Sequence, residues 1–190
     1  MSWMLLLVTS AVAGPADVIA NEGVTVVVRG LGESWDDTSI SSVYRPSAFF
    51  GGVGLVVPVH PMLSLDLEVA SGRYVGPCEG EDCEGYKLSV RPVSLVVEGR
   101  VPMDSGVFFL GLGPSLATFS EVADFTRTGS KGSLDVRVGI RWDMSLEFDD
   151  VSTQFELYGG RRMQRWDGTV EEPGFDLAAW RGSAGVGFVF

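Results

Sequence analysis

Cys78 and Cys83 stand five positions apart in the stretch GPCEGEDCEG and are the only thiols of a 190-residue chain. Two thiols at that spacing close a small disulfide loop, or hold a metal if further ligands join them. The single histidine, His60, lies far off beside Pro61, so the remaining ligands of a zinc site are missing. The expectation is a Cys78–Cys83 disulfide in an exported chain, and no metal site. Glu79, Glu81, Asp82 and Glu84 crowd carboxylates around the pair, a composition that attracts Ca²⁺ loosely. The EF-hand spacing is absent, and a solvated acidic loop tip accounts for the run better.

Catalytic constellations are equally scarce. A lone histidine next to a proline at a short turn is a turn residue before it is a general base. The glycine runs GGVG and GSAGVG do not open a helix, so no phosphate-cradling loop is formed. No catalytic residue and no cofactor is expected.

What remains able to do chemistry is charge, and it comes in alternation. In SLDVRVGIRWDMSLEF, Leu134, Val136, Val138, Ile140, Trp142, Met144 and Leu146 share one face of a strand. Asp135, Arg137, Arg141, Asp143 and Glu147 share the other. MLSLDLEVA repeats the pattern, with Leu63, Leu65, Leu67 and Val69 against Asp66 and Glu68. The charged face is completed by Arg29, Lys87, Arg91, Glu98, Arg100, Glu156, Arg162 and Arg181. It holds seven acids and eight bases, whereas the chain has 25 acids and 14 bases. The loops, turns and leader are thus left with 18 acids and six bases, about all of the chain's net charge of −11. Matched charge is what a narrow lumen requires, because a buried charge must be paired. Arg137 and Arg141 are expected to face Asp66, Glu68 and Glu98, forming a salt-bridged plug with no open pore.

These side chains need strands to carry them, and period-2 patterning marks eight. They run at about 22–32, 47–60, 62–73, 86–101, 106–119, 132–147, 151–165 and 176–190. The phase slips near Pro92, from Leu88 and Val90 to Val93, Leu95 and Val97, which predicts a bulge there. Turns are short at His60–Pro61, PMDSG and FDDV. They are long and polar at about 33–46, 74–85, 120–131 and 166–175. That alternation is what an up-and-down antiparallel barrel gives when one rim is plain and the other elaborated. A lipocalin-like barrel would put its apolar face inside, and a β-sandwich would show Greek-key spacing. The apolar rows here exceed the roughly 9–11 residues a tilted strand needs to cross a bilayer. Aromatics gather toward both segment ends as in a membrane barrel, with Phe49, Tyr74, Phe119 and Trp180 on the long-loop side. Phe108, Trp142, Phe188 and Phe190 fall on the short-turn side. The fold class is all-β: an eight-stranded antiparallel up-and-down transmembrane β-barrel.

Composition sets the outer limits. The acidic balance, with a pI near 4.4, excludes the basic stripe that nucleic-acid binding needs. Residues 1–20, with an apolar run from Trp3 to Val8 and the small-x-small pattern Ala11-Val12-Ala13, read as a signal peptide without its positive n-region. Residues 21–190 are then one barrel domain.

The eight alternating strands, the loop asymmetry and the ending VGFVF resemble the small eight-stranded outer-membrane β-barrel proteins of Gram-negative bacteria. The OmpX, OmpA transmembrane-domain and OmpW types are the nearest in pattern. The resemblance covers residues 22–190. It implies that Val186, Phe188 and Phe190 form the C-terminal assembly signal read by the outer-membrane insertion machinery. It also implies contact with outer-membrane lipid, extracellular long loops and periplasmic termini. A monomer is expected. The role it suggests is non-enzymatic, structural or surface-interacting through acidic loops. Such loops repel nucleic acid and bare anionic lipid and favour cationic or Ca²⁺-bridged partners. The alternatives are an OmpW-like channel for small apolar molecules, with Phe50, Val56, Phe109 and Tyr158 as its large inward side chains, and a lipid-modifying outer-membrane enzyme. Lipid deacylases of this look use a His–Ser pair near the outer rim, where this sequence has no histidine.

Overall fold

Alternate residues of a strand point to opposite faces, so eight segments with one apolar face each can close into a ring that turns those faces outward. A computed structural model describes residues 23–36, 47–76, 87–122, 126–148, 151–164 and 178–190. The strands are β1 (Thr25–Trp35), β2 (Ser47–His60), β3 (Leu63–Val75), β4 (Lys87–Met103), β5 (Gly106–Val122), β6 (Thr126–Phe148), β7 (Val151–Gln164) and β8 (Ala179–Val189). Each pairs antiparallel with the next, and β1 pairs with β8 from Thr25↔Val189 to Trp35↔Ala179. The ring is closed, and it has no free edge. Phe190 N donates to Val24 O at 3.0 Å, which extends the seam by one residue.

The outward rows are apolar across the middle of every strand, as at Val53 and Leu55 of β2, Leu67 and Val69 of β3, and Leu110 and Leu112 of β5. Phe49 is 88 % exposed and Trp180 57 % exposed at the long-loop end of this belt. Phe108, Phe188 and Phe190 face outward toward the other end. Tyr74 and Phe119, expected in the aromatic girdle, turn inward instead. At the plain rim, Met62 N donates to His60 Nδ1 at 3.2 Å and tightens the β2–β3 turn. Gly106 opens β5 at a φ of +156°, a conformation in which L side chains are uncommon.

Three expectations are corrected. The pattern does not slip at Pro92: Leu88, Val90, Pro92, Ser94 and Val96 alternate without a break, all inward. The β3–β4 pairing keeps one register from Val69↔Val93 to Gly72↔Val90. Pro92 lacks an N–H, so the ladder loses pairs there without gaining a residue. The register shifts fall instead at Pro58/His60 and Met144/Glu147. Second, the polar loop expected at 120–131 is mostly strand, because β5 and β6 pair through Val122↔Thr126. Of its outward residues Ser120, Thr126, Thr128 and Ser130 are polar and Val122 alone is apolar, so no run of hydrophobic alternation betrays it. Third, Lys87 and Arg91 face outward, because the continuous phase of β4 turns their odd-numbered row away from the lumen. The leader at 1–20 and the Cys78–Cys83 pair lie outside the described residues.

The lumen is narrow, and glycine makes room in it. Arg29 pairs across the ladders with Gly52 and Gly185, and Arg137 with Gly111 and Gly160. A Cβ built at Gly111 would come within 2.6 Å of Val96 Cγ1. Large side chains thus fill the space that glycines on adjacent strands leave.

The outward belt generates a test. Leu112→Arg, between Val97 and Val136 in the belt, should cost about 2–4 kcal/mol of folding free energy in lipid vesicles, and Thr128→Arg beyond the belt only about 0–1. Equilibrium urea unfolding from vesicles measures both; equal costs would contradict a lipid-facing belt.

Candidate functional site

Inside the barrel, six arginines and six carboxylates are buried among the described residues: Arg29, Arg100, Arg137, Arg141, Arg162 and Arg181 against Glu33, Asp66, Glu68, Glu98, Asp135 and Glu156. The set is neutral as counted. Its members come from every strand except β2 and β5, whose contribution is space: Gly52 and Gly54 of β2 lie on the inward row beside Arg29, and Gly111 of β5 lies beside Arg137.

Toward the plain rim, Arg141 grips Glu98 with two parallel bonds of 2.8 Å, and its Nε donates to Glu156 at 2.7 Å. Ser64 Oγ donates to the same Glu98 at 2.8 Å, and the Phe109 ring lies 4.2 Å from the Arg141 guanidinium. Glu156 also accepts from Arg29 Nε at 2.7 Å. The far end of Arg29 reaches Asp66 at 2.8 Å and Glu68 at 3.0 Å. Arg137 bridges Asp66 at 3.0 Å, Glu68 at 3.1 Å and Asp135 at 3.0 Å. Toward the long-loop end, Arg181 joins Glu68 and Asp135, each at 2.8 Å, to Glu33 at 2.9 Å. Arg162 closes on Glu33 at 2.7 Å.

The result is one connected chain of opposite charges along the barrel. Bidentate arginine–carboxylate bonds are the strong, directional kind. Glu68 is its hub: it takes Arg29, Arg137 and Arg181, and the Tyr158 hydroxyl donates to it at 2.8 Å. Tyr158 also lies with its ring 5.1 Å from Arg137 and 5.6 Å from Arg29. Above the charges, Leu31, Phe50, Tyr74, Leu88, Val90 and Ala117 belong to a buried apolar cluster. Phe50 and Tyr74 meet edge to face with centroids 5.5 Å apart. Tyr74 links the two regions, donating to Glu33 at 3.2 Å.

The residues picked from the sequence divide as follows. Arg29, Asp66, Glu68, Glu98, Asp135, Arg137, Arg141, Glu156, Arg162 and Arg181 meet in the network. Arg100 is buried inward, across the β4–β5 ladder from Phe109. Arg91 is corrected to the outer wall, as the phase of β4 dictates. Asp143 is corrected to the exposed rim, where it accepts from Gln154 Nε2 at 2.9 Å, because β6 there has run beyond the closed lumen. Val186, Phe188 and Phe190 share the outward row of β8.

Glu33, expected at the start of the 33–46 loop, is buried and binds Arg162, Arg181 and Tyr74. The alternation Val27, Arg29, Leu31, carried one step further, reaches it. Ser94, which donates to Asp135 at 2.7 Å, gave no signal, since a serine fits either face of a strand.

Glu68→Gln leaves three buried guanidiniums short of a carboxylate. Breaking a buried ion pair on one side costs about 3–5 kcal/mol. Urea unfolding in vesicles should show a loss of that order for Glu68→Gln and under about 0.5 kcal/mol for Asp143→Asn at the rim.

No family model matches the sequence, and no curated protein matches it either. Solved structures do match the fold. The outer membrane protein OprG from Pseudomonas aeruginosa superposes with a TM-score of 0.57 at 12% identity, over 89% of this chain and 96% of that one. Ail, the attachment invasion locus protein of Yersinia pestis, solved with the heparin analogue sucrose octasulfate, gives a TM-score of 0.54 at 9% identity, over 89% and 99%. Neisserial surface protein A gives 0.52 at 13% identity, over 88% and 96%. On the closed eight-stranded topology and these likenesses together, the chain has the fold of the small eight-stranded outer-membrane β-barrels.

Proposed function

We propose that the protein is an integral, non-enzymatic outer-membrane barrel with a plugged lumen, whose long acidic loops act at the cell surface. The observation that carries this reading is the inversion of the molecule: its apolar rows face out on all sides of a closed ring, and its charge is paired inside. A belt of that size is far larger than the apolar patches soluble monomers expose. In water it would drive association; in a bilayer it is solvated by acyl chains.

The plug follows from packing. An eight-stranded barrel is just wide enough for side chains to fill. Here Arg29, Arg137 and Glu68 meet near the middle, and the apolar cluster stands above them. Such a lumen supports a scaffold and surface role over solute passage. In this reading the long loops, rich in Glu79, Glu81, Asp82, Glu84, Glu171 and Glu172, face outside, and the termini face the periplasm. Val186, Phe188 and Phe190 then present the assembly signal to the insertion machinery. The Cys78–Cys83 bridge would staple the acidic tip of one loop, contributing at the low end of roughly 2–4 kcal/mol because the loop it closes is small.

A second reading, a sideways route for small apolar molecules, draws on one feature. A shallow hollow of about 330 Å³ opens on the outer wall between β1, β2 and β8, lined by Gly32, Ala48, Phe49, Trp180 and Gly182 among others. Passage inward from it would have to cross Glu33 and Arg181, which are locked together at 2.9 Å.

Three measurements decide. Cell fractionation with a carbonate wash should leave the protein in the outer membrane; recovery from the soluble periplasm would end the reading. In planar bilayers the purified protein should show no steady nanosiemens-scale conductance, and such a current would refute the plug. Replacing the acids of residues 77–85 and 166–175 with amides should alter attachment of cells to surfaces without altering insertion. Unchanged attachment would remove the surface role.

A further inference from the structure

The outer wall carries charge in one place that the lumen does not explain. On β3, β4 and β5 the outward rows hold Arg73, Lys87 and Arg91, and no carboxylate. This is a local excess of positive charge on a chain whose net charge is −11. Arg73 and Arg91 are exposed, and neither guanidinium has an ion pair or hydrogen bond with a described residue. Arg91 contributes only its carbonyl, which accepts from Thr118 Oγ1 at 3.3 Å.

The two arginines are diagonal neighbours. Arg73 pairs across the ladder with Ser89, and Ser89 with Ser120; Arg91 pairs with Thr118. Side chains at such diagonal positions lie about 7–8 Å apart, within the span of one phosphate group gripped from two sides. The Ser89 hydroxyl, opposite Arg73 and two residues from Arg91, is a further donor. Arginine forks and hydroxyls are the groups that recognise phosphate oxygens.

Directly below this patch, on the same rows, come Val69, Val93 and Leu116, all exposed members of the apolar belt. An occupant that satisfies both levels has an anionic phosphate head and hydrocarbon tails. We infer that Arg73 and Arg91 form a docking site for the phosphate headgroup of an anionic lipid in the leaflet on the long-loop side. This rests on the membrane reading above. It also alters the expectation that the acidic loops keep all anionic lipid away: repulsion at the loop tips and attraction at the wall act at different heights, and each fades beyond about 10 Å at 0.1 M salt.

Each cation near an anionic lipid surface contributes roughly a fivefold preference, so two contribute up to about thirtyfold at low salt. The test uses the full chain in nanodiscs of phosphatidylcholine containing a minor fraction of a phosphate-bearing anionic lipid, phosphatidylglycerol. Lipids retained on release are counted by native mass spectrometry. The wild type should retain the anionic lipid about tenfold over its bulk share, and Arg73→Gln/Arg91→Gln should lose most of that, the difference shrinking with salt. Arg161→Gln removes one positive charge from the distant β7 wall and should retain lipid like the wild type, whereas Arg73→Gln or Arg91→Gln alone should already lower retention. Millimolar inorganic phosphate should not displace the lipid. Equal retention by wild type and double variant overturns the inference, as it would if the arginines served only the acids of the 77–86 loop. Displacement by inorganic phosphate overturns it in favour of a soluble anion. Heat-modified mobility on gels reports insertion separately: a wild type that inserts but shows no lipid preference sinks this inference alone, and one that does not insert sinks the membrane reading with it.

Discussion

The lumen of an eight-stranded barrel has room for side chains and little else, so whatever points inward must be satisfied by its neighbours. In this chain that constraint falls on six arginines and six carboxylates. Moving one ion of this size out of water costs several kcal/mol even after relaxation, and mutual attraction offsets that only when the geometry is good and the other lone pairs are taken. The network approaches the condition by sharing, and leaves Asp135 Oδ1 and the Nε atoms of Arg137 and Arg162 without a hydrogen bond among the described residues. Glu68 takes three arginines and a tyrosine hydroxyl, and Arg29 spreads its guanidinium over Asp66, Glu68 and Glu156.

Other features follow from the need to fit this cluster. The glycines at 52, 111, 160 and 185 face the arginines because a second large side chain at the same level would collide with them. The apolar cluster of Leu31, Phe50, Leu88 and Val90 keeps water from the charges on the long-loop side. Closure of β1 on β8 keeps the inward rows of all strands in register, so contacts between residues far apart in sequence, such as Arg29 and Glu156, become possible. A network of this kind costs more to disrupt than to keep, which favours a stiff plug over a gate.

Much of this was legible in the sequence, and the reasons are physical. A period of two is unambiguous where one face is lipid-apolar and the other carries Asp or Arg, as in Leu134–Met144 of β6. It fails where both faces have one character. Leu88 and Val90 are apolar residues on the inward face, in a strand whose outward face bears Lys87 and Arg91; read by hydropathy alone, the strand looks inverted. Beyond the belt, Thr126–Ser130 is polar on both faces and looks like loop. Glu33 was lost with the strand end that carries it. The pairing partners were legible only as a group, Arg137 and Arg141 against Asp66, Glu68 and Glu98, with no one-to-one assignment. Alternation says which residues face inward, and only the register says that Arg141 meets Glu98 and Arg137 meets Asp66.

The central claim is that the lumen charges act as one mutually dependent unit. A double-mutant cycle on Arg141 and Glu98, read by urea unfolding from lipid vesicles, tests it most directly. Arg141→Met and Glu98→Gln should each be strongly destabilising, and the double variant should cost less than their sum by at least about 1.5 kcal/mol, the range found for close, desolvated charge pairs. Additive costs would mean that the two groups are stabilised independently, and the account of a connected plug would be wrong.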